Sequence, residues 1–259
     1  MKMHKESRPP RCHECTGGKL PEFDFTMAFQ PIVNTSTKKV FAYEALVRGV
    51  NNEPAGQVFE KVNDSNRYYF DQACRVKAVK LAAELGMTSL LSINFMPNAV
   101  YQPELCIRAT LAAAEQYRFP IERIIFEITE GERVDDQSHL IKIINYYQET
   151  GLKTAIDDFG AGYSGLNLLA NLKTDFVKLD MALIRNIHLD KARQAIIKGI
   201  AQACEELAIT LIAEGVETFD EVSVLQSYGV ELFQGYYFAR PLFQSLPSIS
   251  IDGFEPSLE

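Results

Sequence analysis

Asp157 and Asp158 stand side by side between an apolar, β-capable run, Thr154-Ala155-Ile156, and a glycine-rich turn, Phe159-Gly160-Ala161-Gly162. Neighbouring side chains on a strand point to opposite faces, so this pair converges on one point only where the strand ends and the backbone turns. Two carboxylates about 4–6 Å apart raise the pKa of one of them sharply unless a cation lies between them. The chemistry implied is a divalent metal site at the mouth of a strand. The plain alternative is a solvated turn, and the rest of the chain has to decide between them.

Other apolar segments end on groups of the same kind: Glu44, Asn94, Glu127 with Glu130, Lys178 with Asp180, Glu214 with Glu217, and Gln234. A merely solvated rim would mix serine, threonine and basic residues with acids. Here carboxylates and an amide dominate, the ligand set hard cations prefer. The four histidines, His4, His13, His139 and His188, all lie away from these ends. That argues against Ser-His-Asp chemistry and histidine-based zinc hydrolysis. Converging carboxylates without histidine suit two Mg²⁺ or Mn²⁺ ions about 3.5–4 Å apart, the arrangement used for in-line displacement at phosphorus. Lys178 is the one basic residue at a strand end in mid-rim. It is placed to orient a water or neutralise charge in a transition state, and its structural alternative is an ion pair with Asp157 or Asp158.

Acids from distant segments meet only if the elements that carry them end on one rim. Residues 27–33 and 40–48 read as strands joined by a short polar connection, Asn34-Thr35-Ser36-Thr37-Lys38-Lys39, hence an antiparallel hairpin. Helical periodicity follows over 55–62 and 67–85, the second ending at Gly86. Strands at 90–95, 123–128, 154–159, 176–179, 210–213 and 232–238 then alternate with helices at 104–117, 140–150, 165–172, 191–207 and 219–228. Such alternation in 259 residues predicts a (β/α) barrel, whose functional groups gather at the C-terminal strand ends. An open doubly wound sheet is the weaker alternative, because no GxGxxG follows the first strand.

Composition narrows the partners. With 34 acidic against 26 basic residues the formal charge is −8, which argues against polymeric nucleic acid. A small phosphate substrate stays compatible, since bound cations reverse the local field. No apolar run of about 18 residues is present, so no membrane insertion is expected. The N-terminus lacks an apolar signal core, and five scattered cysteines do not form a disulfide framework. The expected location is the cytoplasm. Residues 1–20 read as a flexible leader before a barrel at 21–259. The leader's Cys12-His13-Glu14-Cys15 is half of a zinc site without a second pair, which leaves a zinc or redox link between two chains open.

Glu44-Ala45-Leu46, followed by Val47-Arg48, resembles the signature of the EAL family of cyclic-di-GMP phosphodiesterases. Gln30-Pro31-Ile32-Val33, Glu127-Ile128-Thr129-Glu130, Asp157-Asp158-Phe159-Gly160, Val177-Lys178-Leu179-Asp180, Ala213-Glu214-Gly215-Val216-Glu217 and Gln234-Gly235-Tyr236-Tyr237-Phe238 match it in order and spacing, from about residue 25 to 242. The resemblance implies an α/β, (β/α)8 TIM-like barrel with an antiparallel first strand. It also implies hydrolysis of cyclic di-GMP to linear 5′-pGpG with two Mg²⁺ or Mn²⁺ ions, in a homodimer formed near the Asp-Asp loop. Glu44, Asn94, Glu127 and Asp157 would hold the first ion, and Asp157, Asp158 and Glu214 the second. Lys178 would contact the catalytic water, and Glu130 would brace the loop 159–164. Gln30, Leu46, Arg48 and Asp180 would meet substrate, with Gln234 helping to fix the site. Met96, Ala161 and Gly165 depart from the residues usual in the family, and none of them is a metal ligand. A member that serves only as a cyclic-di-GMP receptor or interaction module usually lacks a metal carboxylate; this chain has them all.

Overall fold

The computed structural model describes residues 21–100, 102–129, 137–162 and 165–249. The expected leader with Cys12 and Cys15, and Glu130 with its expected bracing role, lie outside these residues. Strands β1 (Thr26–Asn34) and β2 (Lys39–Arg48) form the expected antiparallel hairpin, with Gln30 opposite Glu44. Strands β3 (Leu90–Asn94), β4 (Ile124–Thr129), β5 (Lys153–Phe159), β6 (Phe176–Leu179), β7 (Thr210–Ala213) and β8 (Leu232–Gln234) continue from β2 in parallel. Strand β8 then pairs antiparallel with β1 and closes the ring, and β9 (Leu242–Phe243) adds to the outer part of β1. The fold is a (β/α)8 TIM-like barrel with an antiparallel first strand. Helices α1 (Ala55–Phe59), α2 (Arg67–Glu84), α3 (Pro103–Cys106), α4 (Arg108–Tyr117), α5 (Gln137–Glu149), α6 (Gly165–Asn171), α7 (Met181–Ile184), α8 (Lys191–Glu206) and α9 (Phe219–Gln226) connect the strands. None of the helices among the described residues is long and apolar enough to cross a membrane.

One layer inside the ring sets the position of the next. Ile32, Ala42, Ile125, Ala155, Phe176, Ile212 and Leu232 form a buried apolar plug, with Leu90 packed against it. Side chains repeat every two residues on one face of a strand. The residue two further toward the rim is therefore Gln30, Glu44, Glu127, Asp157, Lys178, Glu214 and Gln234 respectively, and Ser92 above Leu90. Every strand of the ring places one polar group on the same level. The larger apolar cluster, including Phe29, Phe70, Phe126, Tyr147 and Leu225, lies between barrel and helices and holds this frame rigid.

Three expected elements differ. The helix expected over 55–62 ends at Phe59, where Lys61 N and Val62 N turn to the carbonyls of Val58 and Phe59. The helix expected over 104–117 is broken at Ile107 into α3 and α4. The guanidinium of Arg75 donates to the Cys106 carbonyl at 3.4 Å, and Thr110 N turns to the Ile107 carbonyl instead. The strand expected over 232–238 stops at Gln234. Tyr237 N donates to the Val216 carbonyl at 3.0 Å, while Phe238 N and Ala239 N donate to the Gly235 carbonyl, so the aromatic run folds across the rim as a turn. The end of α2 falls as expected, with Gly86 in the left-handed region at φ +67°.

Candidate metal centre

The two aspartates converge by a specific local device. Register between β5 and β6 runs Ile156↔Val177 and then Phe159↔Leu179, so β5 carries one extra residue at Asp157-Asp158. This is a β-bulge, which bends a strand and re-aims its side chains. Asp158 takes the left-handed conformation, φ +52°, which aspartate tolerates better than most residues. Both carboxylates thereby reach the barrel mouth.

Oxygen atoms of Glu44, Glu127 and Asp157 lie within 4.8 Å of one another, and so do those of Asp157, Asp158 and Glu214. Asp157 belongs to both groups. Asn94, the amide expected beside the first group, is exposed at the end of β3 and donates to Glu44 Oε1 at 3.0 Å. Lys178 is fully buried at the centre. Its Nζ lies 2.6 Å from Glu214 Oε1, 2.9 Å from Glu127 Oε1, 3.0 Å from Asp157 Oδ1 and 3.4 Å from Glu44 Oε2. Of the two aspartates, Asp157 is the one it meets.

Charge in this cluster is out of balance. Burial pushes Glu127 up to about 8 against the pull of Lys178, and the neighbouring Glu44 and Asp157 charges add to the rise. Burial likewise pushes Asp158 up to about 6, helped by Asp157 and Asp180, and Glu214 well above the usual carboxylate range. Burial also works against ionised Asp157, but Lys178 outweighs it and holds that group low. The surrounding carboxylates overcome burial and raise Lys178 well above its ordinary value. One lysine cannot neutralise this many buried acids.

The donor set fits divalent cations. Two groups of carboxylates share one member, and Glu127 Oε2 and Gln234 Oε1 are buried without a hydrogen-bond partner. Buried polar atoms of that kind call for an explanation, and an oxygen-lined cation position supplies one. The donors are also oriented from behind. Ser92 Oγ donates to Glu127 Oε1 at 2.5 Å. Gln234 Nε2 donates to Glu44 Oε2 at 2.6 Å and to Gln30 Oε1 at 3.3 Å, and Gln30 Nε2 donates to the Ala239 carbonyl at 3.2 Å.

A cavity of about 410 Å³ opens above the cluster. Gln30, Glu44, Asp157, Asp158, Asp180, Glu214 and Gln234 line it, with Met181, Arg185, Glu217 and Tyr236 toward the mouth. Asp180 also caps α7 by accepting from Ala182 N at 2.8 Å. Leu46 and Arg48 follow Glu44 at strand period, but neither lines this cavity, and Arg48 Nη1 donates to its neighbour's carbonyl, Val47 O, at 2.7 Å.

Two residues here were not foreseen. Ser92 sits mid-strand, and only its position two residues beyond Leu90 would have revealed it. Among the described residues Arg185 is the one cation lining the cavity, held by Glu217 at 2.8 Å and by the Gly215 carbonyl at 3.1 Å. It lies a turn past Asp180, where a reading of strand ends stops.

Gly235 keeps the Gln234 strand end against the loop that follows Glu214. A Cβ on Gly235 would run into the backbone of Val216, which cannot move aside as a side chain can. Val216 N also donates to the Gln234 carbonyl at 3.1 Å. Gly235→Ala is therefore expected to destabilise the fold by about 1–3 kcal/mol, the usual range for overpacking. Thermal unfolding compared with wild type measures it.

The EAL domain family model matches residues 20–241. The chain belongs to the EAL domain family. A solved structure of a standalone versatile EAL protein from Vibrio cholerae O395, in its c-di-GMP bound form, is 61% identical with a TM-score of 0.87, covering 90% of this chain and 99% of that one. The manganese/cy-diGMP complex of Klebsiella pneumoniae BlrP1 is 35% identical with a TM-score of 0.83, over 89% of this chain and 59% of that one. The blue light- and temperature-regulated antirepressor BluF of Escherichia coli K12 is 33% identical over 232 residues, 89% of this chain and 57% of BluF. Other curated relatives from that organism are named cyclic di-GMP phosphodiesterase or probable cyclic di-GMP phosphodiesterase. This EAL chain spans less than two thirds of the length of these curated relatives.

Proposed function

We propose that this EAL chain hydrolyses cyclic di-GMP to linear 5′-pGpG with two Mg²⁺ or Mn²⁺ ions. The observation that carries this reading is the pair of carboxylate groups sharing Asp157 at the floor of the cavity. The cy-diGMP complexes of a 35% identical relative with manganese and with calcium support it. Water adds across one phosphodiester: its oxygen bonds to phosphorus, the P–O3′ bond breaks, and the freed 3′ oxygen takes a proton. Glu44, Asn94, Glu127 and Asp157 would hold one ion, and Asp157, Asp158 and Glu214 the other. Bound there, the ions would supply Lewis-acid stabilisation of the phosphoryl charge and a lowered water pKa.

The chain's own groups carry the remaining tasks. Lys178 offers a fixed positive charge beneath the reacting phosphate and a donor to the attacking water. Glu130 would brace the loop after β5, as the family resemblance implies. Gln30 and Asp180 meet the nucleotide within the cavity, with Gln234 fixing Glu44 from behind. Leu46 and Arg48 meet its outer part, where a guanidinium suits a phosphate or a guanine edge. The working assembly is a homodimer formed near the Asp-Asp loop.

The test is a hydrolysis assay of the purified protein with Mg²⁺, Mn²⁺ and Ca²⁺ side by side. Conversion to pGpG with Mg²⁺ or Mn²⁺ is expected, and no pGpG with either ion would overturn the reading. A second reading, a cyclic-di-GMP-responsive binding module without turnover, is favoured by the 33% identical relative named as an antirepressor. Tight nucleotide binding without product in every metal would select it.

A further inference from the structure

Outside the metal centre, one buried ion pair has no part in the chemistry above. Asp71 and Arg75, one turn apart on α2, are 4% and 0% exposed, with Arg75 Nη2 2.6 Å from Asp71 Oδ2. Taking both charges out of water costs several kcal/mol per ion, and an apolar pair would fill the same space without that cost. Packing alone does not account for them.

What they touch does. Asp71 Oδ1 accepts from Met96 N at 3.0 Å, and Met96 lies two residues past Asn94. Arg75 Nη1 donates to the Cys106 carbonyl, and its guanidinium lies 5.8 Å from the Phe126 ring, the residue before Glu127. The Phe95 ring, next to Asn94, packs on Phe126 and Tyr147 with centroids 5.5 Å away in each case. Asn94 itself is exposed. Its side chain is held in front by Glu44 Oε1 at 3.0 Å and its strand end by Phe95 N on the Glu127 carbonyl at 3.1 Å, and the ion pair adds a third hold from behind, on the backbone after β3.

We propose that Asp71, fixed by Arg75, is a positioning residue for Asn94: it anchors the chain after β3 so that the Asn94 amide faces the first metal position beside Glu44. This deepens the proposed function and rests on its placing Asn94 among the ligands. Groups that orient metal ligands typically change affinity by about 10–100-fold when removed.

The experiment compares wild type with the double variant Asp71→Leu/Arg75→Met, which removes both charges together and leaves no unpaired ion. By calorimetry with Mn²⁺ alone, the double variant is expected to bind at least about 10-fold more weakly, while its thermal unfolding stays near wild type. The Met96 amide is expected to exchange hydrogen faster. Wild-type Mn²⁺ affinity with a wild-type Met96 exchange rate would overturn the inference. Asn94→Ala separates this from the underlying assignment: wild-type Mn²⁺ affinity in that variant would overturn the ligand role itself. Should the double variant fail to fold, wild-type protein still decides. By reciprocity of coupled equilibria, Mn²⁺ must slow exchange at the Met96 amide, and an unchanged rate would overturn the proposal.

Discussion

Replacing Asp157 by asparagine is expected to lower turnover of cyclic di-GMP by about 10³-fold or more, since it weakens both cation positions at once. Asp157 is the one carboxylate common to the two groups, and it is nearly buried, with a side chain 10% exposed. Asparagine keeps the volume and one oxygen but removes the charge and puts an NH₂ where an acceptor is needed. Glu44→Ala removes a ligand of one group only, so it tests the first position by itself. The nucleotide is expected still to bind Asp157→Asn in Ca²⁺, because Gln30 and Asp180 remain in the cavity wall. Calorimetry in Ca²⁺ and product analysis in Mg²⁺ and Mn²⁺ together give the answer. Near-normal turnover in Asp157→Asn would show that the ligand assignment is wrong.

The site was legible in the sequence to the extent that its geometry follows from strand period. Glu127, Asp157, Lys178, Glu214 and Gln234 each end or nearly end a strand, whereas Glu44, expected at a strand end, lies in the middle of β2; alternation puts all six above an apolar plug residue. The convergence of Asp157 and Asp158 followed from the need for a backbone turn, which the structure supplies as a bulge. Contacts made by distant side chains on backbone were not legible. The break at Ile107 depends on Arg75, 32 residues earlier in the chain, reaching the Cys106 carbonyl. The turn at 235–238 was hidden because an aromatic run has high strand propensity, while the bond that folds it comes from Val216. Arg185 escaped because its place at the cavity mouth is set by Glu217 and Gly215 on the next loop, which no local pattern announces.

Lys178→Met should produce the largest change in the protein's response to metal. In wild type without cations, the ammonium is, among the described residues, the one basic group inside the ring of Glu44, Glu127, Asp157 and Glu214. Methionine fills similar space and leaves these acids facing one another. Removing one partner of a buried ion pair typically costs about 3–5 kcal/mol, because the other charge stays buried and uncompensated. For a chain of this size that corresponds to a fall in Tm on the order of 10 °C. A divalent ion restores the missing charge, so the Tm gained on adding Mg²⁺ or Mn²⁺ should be greater in the variant than in wild type. Turnover should nevertheless stay at least about 10²-fold below wild type even with saturating metal, as for the loss of other fixed groups that stabilise transition-state charge. The two readouts separate two roles. A variant that regains stability with metal but not turnover assigns Lys178 to the reaction as well as to the fold. One that regains both leaves it only the part of a counter-ion, and one with wild-type metal-free Tm would contradict the electrostatics of the buried cluster.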